Sequence, residues 1–261
     1  MFLTTDNYYS QEANQKYMSV SQFKAFRKCE AAALAELNGE WESESTQALL
    51  LGSFVDAFFE GTLADFLDKH PEVFKKSGEL KADFDQAQKA CLDAVQDKMF
   101  VDFMTGKKQV IKTKTLFGCD WKIRMDVYVP EKRIVDLKYM RSMDRVMGKS
   151  FVEHWGYDLQ LAVYDAVCDD GDIDTYLAVL TKEEPADKGI IDVPAWRREE
   201  MLKEVERDLP RILDVKSGKV PPRRCEHCAY CRATKKLTEI IDFELVGLTQ
   251  EQIAAITGGT Y

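Results

Sequence analysis

The sequence predicts an α/β fold in which helices flank a mixed central sheet, and three observations support this prediction. Residues 19–98 carry apolar side chains at helical spacing. Residues 107–139 instead alternate apolar and polar side chains with a period of two, which is typical of strands. Residues 151–215 return to helical patterns on either side of one further strand. No internal repeat or linker divides residues 1–261, so a single domain is the simplest architecture.

The first third of the chain predicts three helices. Ser19 and Gln22 lie three residues apart, as in a capping box, so a helix is expected to begin there and to include Cys29. A second helix is expected from about Ala48, because large apolar residues follow at helical spacing. The third is expected from residue 81 to about residue 98, where the pattern is amphipathic.

The middle of the chain predicts a hairpin that carries three charged residues. Turn signals occur at Gly118 and at residues 130–132. Asp136 and Lys138 alternate with apolar neighbours, so both side chains are expected on one face of a strand. Asp126 lies ten residues before Asp136, on the partner strand across the turn. A helix over residues 151–168, a strand over 175–180 and a long helix over 195–215 follow.

The charge of the chain is unevenly distributed. The formal net charge of −9 argues against nonspecific coating of nucleic acid. Residues 107–149, however, contain twelve Lys and Arg against five Asp and Glu, a net charge of +7. A local phosphate-binding groove would require such a basic window, but a solvated hairpin face would carry the same charges.

Hydropathy and cysteine content indicate the compartment. No apolar run is long enough to span a bilayer, and the first residues lack the order of a signal peptide, so a soluble cytoplasmic protein is expected. The seven cysteines are odd in number, and three of them fall within residues 225–231. This distribution favours metal or redox chemistry in a reducing compartment over a disulfide framework.

Asp126, Asp136 and Lys138 are the types of residue that phosphodiester hydrolysis requires. Two converging carboxylates can hold Mg²⁺, which would polarise a phosphate and lower the pKa of a water molecule. Lys138 could orient that water or neutralise developing charge. The alternative is an edge hairpin with solvated charges. The apolar neighbours of Asp136 predict burial, and buried carboxylates are usually paired or bound to metal.

Two helices carry polar residues that fit such a site. Gly52, Asp56 and Glu60 recur at four-residue intervals and therefore form one stripe on the second helix. A carboxylate on this apolar helix needs a partner, and a metal ion could be that partner. The alternative is that the stripe is a polar edge facing water, an interpretation that fits Glu60 better than Asp56. Gln160 and Tyr164 likewise share one face of a later helix.

These motifs together resemble a known family of nucleases. In chain order they are Gly52-x-x-x-Asp56, Asp126, Asp136-x-Lys138 and Gln160-x-x-x-Tyr164. This order resembles the RecB-like branch of the PD-(D/E)XK nucleases, and it is most like phage and prophage exonucleases of the RecE type. The segment from Ser19 to Cys29 resembles the start of these domains, so the resemblance spans roughly residues 19–231.

The resemblance implies a restriction-endonuclease-like core and a set of residue roles. Asp126 and Asp136 would be ligands of Mg²⁺ or Mn²⁺, with the Leu137 backbone carbonyl as a candidate third ligand. Lys138 would be the catalytic lysine. Gln160 and Tyr164 would lie beside the active site and help to contact DNA. The implied activity is exonucleolytic hydrolysis of linear double-stranded DNA in phage-type recombination. A single-strand annealing protein is a candidate partner, and a homo-oligomer is a candidate assembly.

The sequence departs from the family pattern at one position and leaves two alternative functions open. Asp56 stands where the family usually has histidine. Aspartate is a good oxygen ligand for Mg²⁺ or Mn²⁺, so Asp56 is expected to serve as a further metal ligand. The alternatives are an endonuclease or nickase of the same fold, and a catalytically silent DNA-binding module.

The cysteines imply a second metal site. Some RecB-like relatives hold a four-iron, four-sulfur cluster with one cysteine before the nuclease core and three after it, and Cys29, Cys225, Cys228 and Cys231 match this order. The resemblance therefore predicts that these four thiols converge and close a loop of nearly the whole domain. A Zn²⁺ site, with His227 as a substitute ligand, is one alternative. Three reduced thiols on a tight turn are the other.

Overall fold

The computed structural model describes residues 1–42, 47–171, 173–237, 240, 243–248, 252 and 255–256. The chain groups into two compact units, residues 1–224 and residues 225–261, and each is described by itself. The expectation of a single domain stays a prediction. Among the described residues, no helix has the length and apolar character that crossing a membrane requires.

The first unit is built on a five-stranded mixed sheet, which confirms the predicted fold class. Its strands are β1 (Lys107–Leu116), β2 (Cys119–Val129), β3 (Arg133–Met140), β4 (Asp174–Thr181) and β5 (Lys188–Asp192). They lie side by side in chain order. The β3–β4 pair is parallel and the other three pairs are antiparallel. The first three strands form a meander that contains the predicted hairpin, and its turns lie where Gly118 and residues 130–132 predicted them.

Helices cover both faces of this sheet. In chain order they are α1 (Gln11–Lys16), α2 (Val20–Lys28), α3 (Glu30–Leu37), α4 (Gln47–Glu60), α5 (Leu63–Lys69), a 3-10 helix (Pro71–Val73), α6 (Ala82–Ala94), α7 (Lys98–Phe103), α8 (Phe151–Trp155), α9 (Tyr157–Cys168) and α10 (Ala195–Lys216). The crossover between the parallel strands β3 and β4 runs through α8 and α9, since parallel neighbours cannot be joined by a tight turn.

The two largest hydrophobic clusters form layers, one on each face of the sheet. Trp121 and Leu161 lie in the layer beneath α2, α9 and α10, whereas Phe54 lies in the layer beneath α4 and α6. The alternation of β3 explains the division, because Ile134 faces the first layer and Val135 faces the second. Strand β3 is therefore central, and a polar side chain on it is buried unless the helices leave an opening.

Cys29 does not lie within a helix, which corrects the prediction for the first helical segment. Its backbone is extended, with φ −162° and ψ 105°, and it separates α2 from α3. Local propensity favours a continuous helix, but the carboxylate of Glu30 accepts two hydrogen bonds from Arg211 at 2.8 Å and one from the Arg223 amide at 2.7 Å. These long-range contacts fix the direction of α3 and override the propensity.

Other differences from the predicted elements have local causes. The predicted helix over residues 151–168 is divided into α8 and α9 by Gly156, whose φ of 62° is readily adopted only by glycine. The short helices α5 and α7 were not predicted. Strand β5 was not predicted either; it is short, and it pairs with β4.

The described part of the second unit contains one short α-helix and one 3-10 helix. They are α11 (Ala229–Ala233) and Phe243–Leu245. The Cys228 side chain caps α11 by accepting a hydrogen bond from the Cys231 amide.

Candidate active site

Asp136 and Lys138 lie on one face of β3, as the alternation predicted. Asp136 is buried, with only 2% of its surface exposed, and its Oδ2 lies 2.5 Å from Lys138 Nζ. Burial raises the pKa of Asp136 to about 6, although the Lys138 ammonium opposes this shift. Burial lowers the pKa of Lys138, but the charges of Asp136 and Asp126 outweigh it and the net shift is upward. Lys138 therefore stays protonated at neutral pH.

Asp126 lies where the pairing of β2 with β3 ends and where its pairing with β1 is interrupted at one residue. The β2–β3 ladder ends at Val127 opposite Val135, so the Leu137 amide has no partner in the ladder. The side chain of Asp126 takes that place, since its Oδ2 accepts a hydrogen bond from Leu137 N–H at 2.9 Å. The carboxylate thus lies in a gap between two central strands, beside Asp136.

Gln109 is a site residue that the sequence did not reveal. It lies on β1 opposite Asp126. The residues on either side of it are paired with β2: Lys108 with Val127, and Val110 with Met125. Its φ of 51° is unusual for a residue with a side chain. Its Nε2 lies 2.5 Å from Glu60 Oε1 and 3.4 Å from Asp126 Oδ1. Neither composition nor periodicity distinguishes it from the other polar residues of β1.

Helix α4 brings Asp56 to the same carboxylates. Leu51, Phe54 and Val55 anchor this helix in the core, and Asp56 is half-buried. Burial raises the pKa of Asp56 well above its usual range; the charge of Asp126 raises it further, and Lys138 opposes the shift. Asp56 therefore lies within electrostatic range of the other carboxylates, and its role as a metal ligand stays a prediction.

Gln160 and Tyr164 on α9 also lie at the site, as their spacing predicted. Gln160 Nε2 donates hydrogen bonds to Asp136 Oδ1 at 2.8 Å and to the Tyr164 hydroxyl at 3.1 Å. Gln160 thereby fixes the Asp136 carboxylate on the side opposite to Lys138. The roles of Gln160 and Tyr164 toward DNA stay predictions.

Lys24 and Tyr157 extend the site and were not predicted. The Nζ atoms of Lys24 and Lys138 lie 5.5 and 5.2 Å from the centre of the Tyr157 ring. Lys24 donates a hydrogen bond to the Trp155 carbonyl at 2.6 Å. Burial, and then the charge of Lys138, lower the pKa of Lys24. A second ammonium group therefore lies close to Lys138.

The donor set fits a hard divalent cation. Asp56 and Asp136 both experience the charge of Asp126, and Lys138 is the main opposing charge at Asp56. Asp136 Oδ2 is buried and forms an ion pair with Lys138, but it accepts no hydrogen bond from any described residue. Carboxylate oxygens are the ligands that Mg²⁺ and Mn²⁺ prefer, and a cation would relieve their mutual repulsion. A ligand role for the Leu137 carbonyl stays a prediction.

Only part of the basic window can form a phosphate-binding groove. Lys122 and Arg133 are buried. Lys112 donates to the Cys168 carbonyl, Lys114 pairs with Asp169, and Lys138 pairs with Asp136. Lys108 also donates to the Met104 carbonyl and Arg145 to the Gly148 carbonyl. At least seven of the twelve basic residues therefore make contacts within the protein, and the net charge of the window overstates the charge available to a ligand.

Three of the predicted thiol ligands form a cysteine cluster within the second unit. Cys225 Sγ and Cys231 Sγ lie 3.9 Å apart. The Cys228 amide donates to Cys225 Sγ at 3.3 Å, and the Cys231 amide donates to Cys228 Sγ at 3.4 Å. Such donors favour thiolates, and this cluster could bind a metal ion. Cys29 is buried in the first unit, and its role as the fourth ligand stays a prediction.

The mixed sheet and the Asp126, Asp136 and Lys138 set define the class of protein as the PD-(D/E)XK nuclease superfamily. Within it, the chain belongs to the family described as "PDDEXK-like domain of unknown function (DUF3799)", whose model matches residues 19–234. The superfamily resemblance is therefore confirmed, and such nucleases usually use divalent metal ions.

One solved structure is similar over the whole chain. It is the crystal structure of a "putative exonuclease" from Eubacterium rectale, with 43% sequence identity, a TM-score of 0.89 and coverage of 99% of each chain. A second solved structure shares 14% identity over 85% of this chain and 98% of its own, and its TM-score of 0.32 supports no conclusion. No curated protein sequence matches the chain significantly.

Proposed function

We propose that this protein is a divalent-metal-dependent DNA nuclease that degrades linear double-stranded DNA from its ends. The observation that carries the proposal is the convergence of Asp126, Asp136 and Lys138 at the gap between β2 and β3. The family and the similar solved structure support a nuclease.

The proposed metal site consists of Asp126 and Asp136, with Asp56 as a further ligand. A bound Mg²⁺ or Mn²⁺ would act as a Lewis acid on the phosphate and would lower the pKa of the attacking water. Gln160 would keep the Asp136 carboxylate in one orientation, because its amide donates to Asp136 Oδ1 at 2.8 Å. The ligand set would thus be preorganised before DNA binds.

Lys138 would stabilise the negative charge that develops on the phosphate. Its ammonium is positioned by Asp136 at 2.5 Å and by the face of the Tyr157 ring. In the metal-free protein the charges of Asp136 and Asp126 shift the pKa of Lys138 upward, so its side chain is a charged hydrogen-bond donor. Removing such a preorganised donor typically lowers the rate about 10²-fold or more.

The finer assignment follows from the resemblance to RecE-type enzymes and from the printed name of the Eubacterium rectale protein. An exonuclease that resects linear double-stranded DNA would produce single-stranded tails. A single-strand annealing protein is therefore the proposed partner, in recombination of the phage type. The proposed substrate is a free DNA end.

The test is to incubate linear and covalently closed circular DNA with the protein in Mg²⁺, Mn²⁺ or EDTA. We expect linear DNA to be degraded in either metal, circular DNA to remain intact, and EDTA to abolish cleavage. Asp126→Ala, Asp136→Ala and Lys138→Ala are each expected to lose about 10²-fold or more of the activity. Lys203→Met is the control, because Lys203 is exposed on α10.

Each other outcome selects an alternative. Cutting of circular DNA would indicate an endonuclease or nickase. DNA binding without metal-dependent cleavage would indicate a silent DNA-binding module. Wild-type activity in a folded Asp126→Ala, Asp136→Ala or Lys138→Ala variant would refute the assigned active site.

A further inference from the structure

Gln109 interrupts the β1–β2 ladder opposite Asp126. The register is the same on both sides of it, so no residue is inserted. The distortion is confined to Gln109, whose φ of 51° lies in the left-handed region. A glutamine in this conformation is strained, and strain of this kind persists where surrounding contacts hold the residue in place.

The contacts of the Gln109 amide show what holds it. Nε2 lies 2.5 Å from Glu60 Oε1 and 3.4 Å from Asp126 Oδ1. Oε1 is buried and has no hydrogen-bond partner among the described residues. A flipped amide would place Oε1 against the two carboxylates, where like partial charges repel. The orientation with Nε2 toward Glu60 and Asp126 is therefore favoured although it leaves Oε1 without a donor.

We infer that Gln109 is a positioning residue that fixes the Asp126 carboxylate for binding of the divalent cation. This inference rests on the proposed function. Asp126 Oδ2 is already fixed by the Leu137 amide at 2.9 Å, and Gln109 contacts the other oxygen, Oδ1. A carboxylate with both oxygens held cannot rotate, and each oxygen keeps a lone pair for a metal ion.

Glu60 is the anchor of this arrangement. The contact of Gln109 Nε2 with Glu60 Oε1 is shorter than its contact with Asp126 Oδ1. Glu60 on α4 therefore holds the amide in place, and the amide in turn contacts Asp126 on β2. Gln109 thus connects the helix that carries Asp56 with the strand that carries Asp126. Groups that orient metal ligands in this way typically contribute about 10-fold to 100-fold to metal affinity or activity.

The test measures Mn²⁺ affinity without DNA, by calorimetric titration of the purified full-length protein. Gln109→Asn is the informative variant, because asparagine tolerates a positive φ but its amide is one methylene shorter. We expect the Kd for Mn²⁺ to rise about 10-fold or more, with kcat for DNA cleavage reduced and KM for DNA unchanged. Phe117→Asn is the matched control, since Phe117 has a φ of 52° at the other end of the β1–β2 hairpin.

Gln109→Glu distinguishes positioning from direct ligation. It keeps an oxygen at the Oε1 position, removes the donor and adds a charge facing Glu60 and Asp126. Weaker Mn²⁺ binding is expected if Nε2 positions Asp126, whereas tighter binding would show that the residue acts as a ligand and would overturn the inference. Gln109→Ala provides a third variant without any amide, and thermal unfolding confirms that each variant is folded.

The inference and the proposed function fail in different ways. Wild-type Mn²⁺ affinity in folded Gln109→Asn and Gln109→Ala would overturn the positioning role while leaving metal-dependent cleavage intact. Absence of Mn²⁺ binding and of cleavage in the unaltered protein would refute the proposed function, and the positioning role with it.

Discussion

Replacing Lys138 with methionine should separate the contribution of its charge to stability from its contribution to catalysis. Methionine keeps an unbranched apolar side chain but removes the ammonium group, which lies 2.5 Å from Asp136 Oδ2. In the metal-free protein, Asp136 then loses its ion pair and still faces the charge of Asp126, which disfavours its ionisation. We therefore expect the metal-free variant to be less stable at neutral pH.

The expected loss can be estimated from the distance. At 2.5 Å and an effective dielectric constant of about 20, two unit charges attract by about 7 kcal/mol. Desolvation of the ammonium group opposes this attraction, and removing one partner of a buried pair typically costs about 3–5 kcal/mol. For a chain of this size, each kcal/mol lowers the melting temperature by about 2–4 °C, so a decrease of about 10 °C is expected.

The assay is thermal unfolding with and without Mn²⁺, together with cleavage of linear DNA. Mn²⁺ should restore much of the melting temperature of Lys138→Met, because a cation in the site replaces the missing positive charge, but cleavage should remain about 10²-fold below wild type. The exposed Lys203→Met control should change neither quantity. An unchanged melting temperature in metal-free Lys138→Met would refute the electrostatic argument, and wild-type cleavage would refute the role of Lys138.

Three further predictions concern metal binding. Asp56→His should keep measurable cleavage, whereas Asp56→Ala should lose most of it; wild-type cleavage and metal binding by Asp56→Ala would make Asp56 an ordinary polar helix residue. The rise in melting temperature on adding Mn²⁺ should be larger at about pH 7.5 than at about pH 5.5. Burial raises the pKa of Asp136 from 3.8 to about 6, so the metal-free protein loses stability as the pH rises through this range. Metal binding favours the ionised form of Asp136, which predominates at the higher pH. An equal rise in melting temperature at both pH values would contradict this reasoning. Anaerobically prepared protein should contain iron or zinc, measured by elemental analysis, and Cys228→Ser and Cys29→Ser should each reduce it, because each removes a predicted thiolate ligand. Full metal content in Cys29→Ser would exclude Cys29 from the ligand set.

The residues that could be predicted from sequence are those that follow from local periodicity. Alternation along β3 places Asp136 and Lys138 on one face whatever lies next to the strand. In the structure, Lys138 Nζ lies 2.5 Å from Asp136 Oδ2. Helical spacing places Gln160 and Tyr164 on one face of α9 in the same way, and their side chains are hydrogen bonded. The fold class follows from the same periodicities, and the order of the motifs led to the superfamily.

Other features depend on contacts between residues far apart in the chain, which periodicity does not encode. The break at Cys29 follows from the pairing of Glu30 with Arg211, 181 residues away. The approach of Gln109 to Glu60, 49 residues away, requires both a left-handed backbone and the placement of α4 against the sheet. The sequence by itself therefore determined the fold class and identified Asp126, Asp136 and Lys138, but not Lys24. Only the tertiary structure decided which polar side chains hold those charges in position, because buried hydrogen bonds form only after packing has brought their partners together.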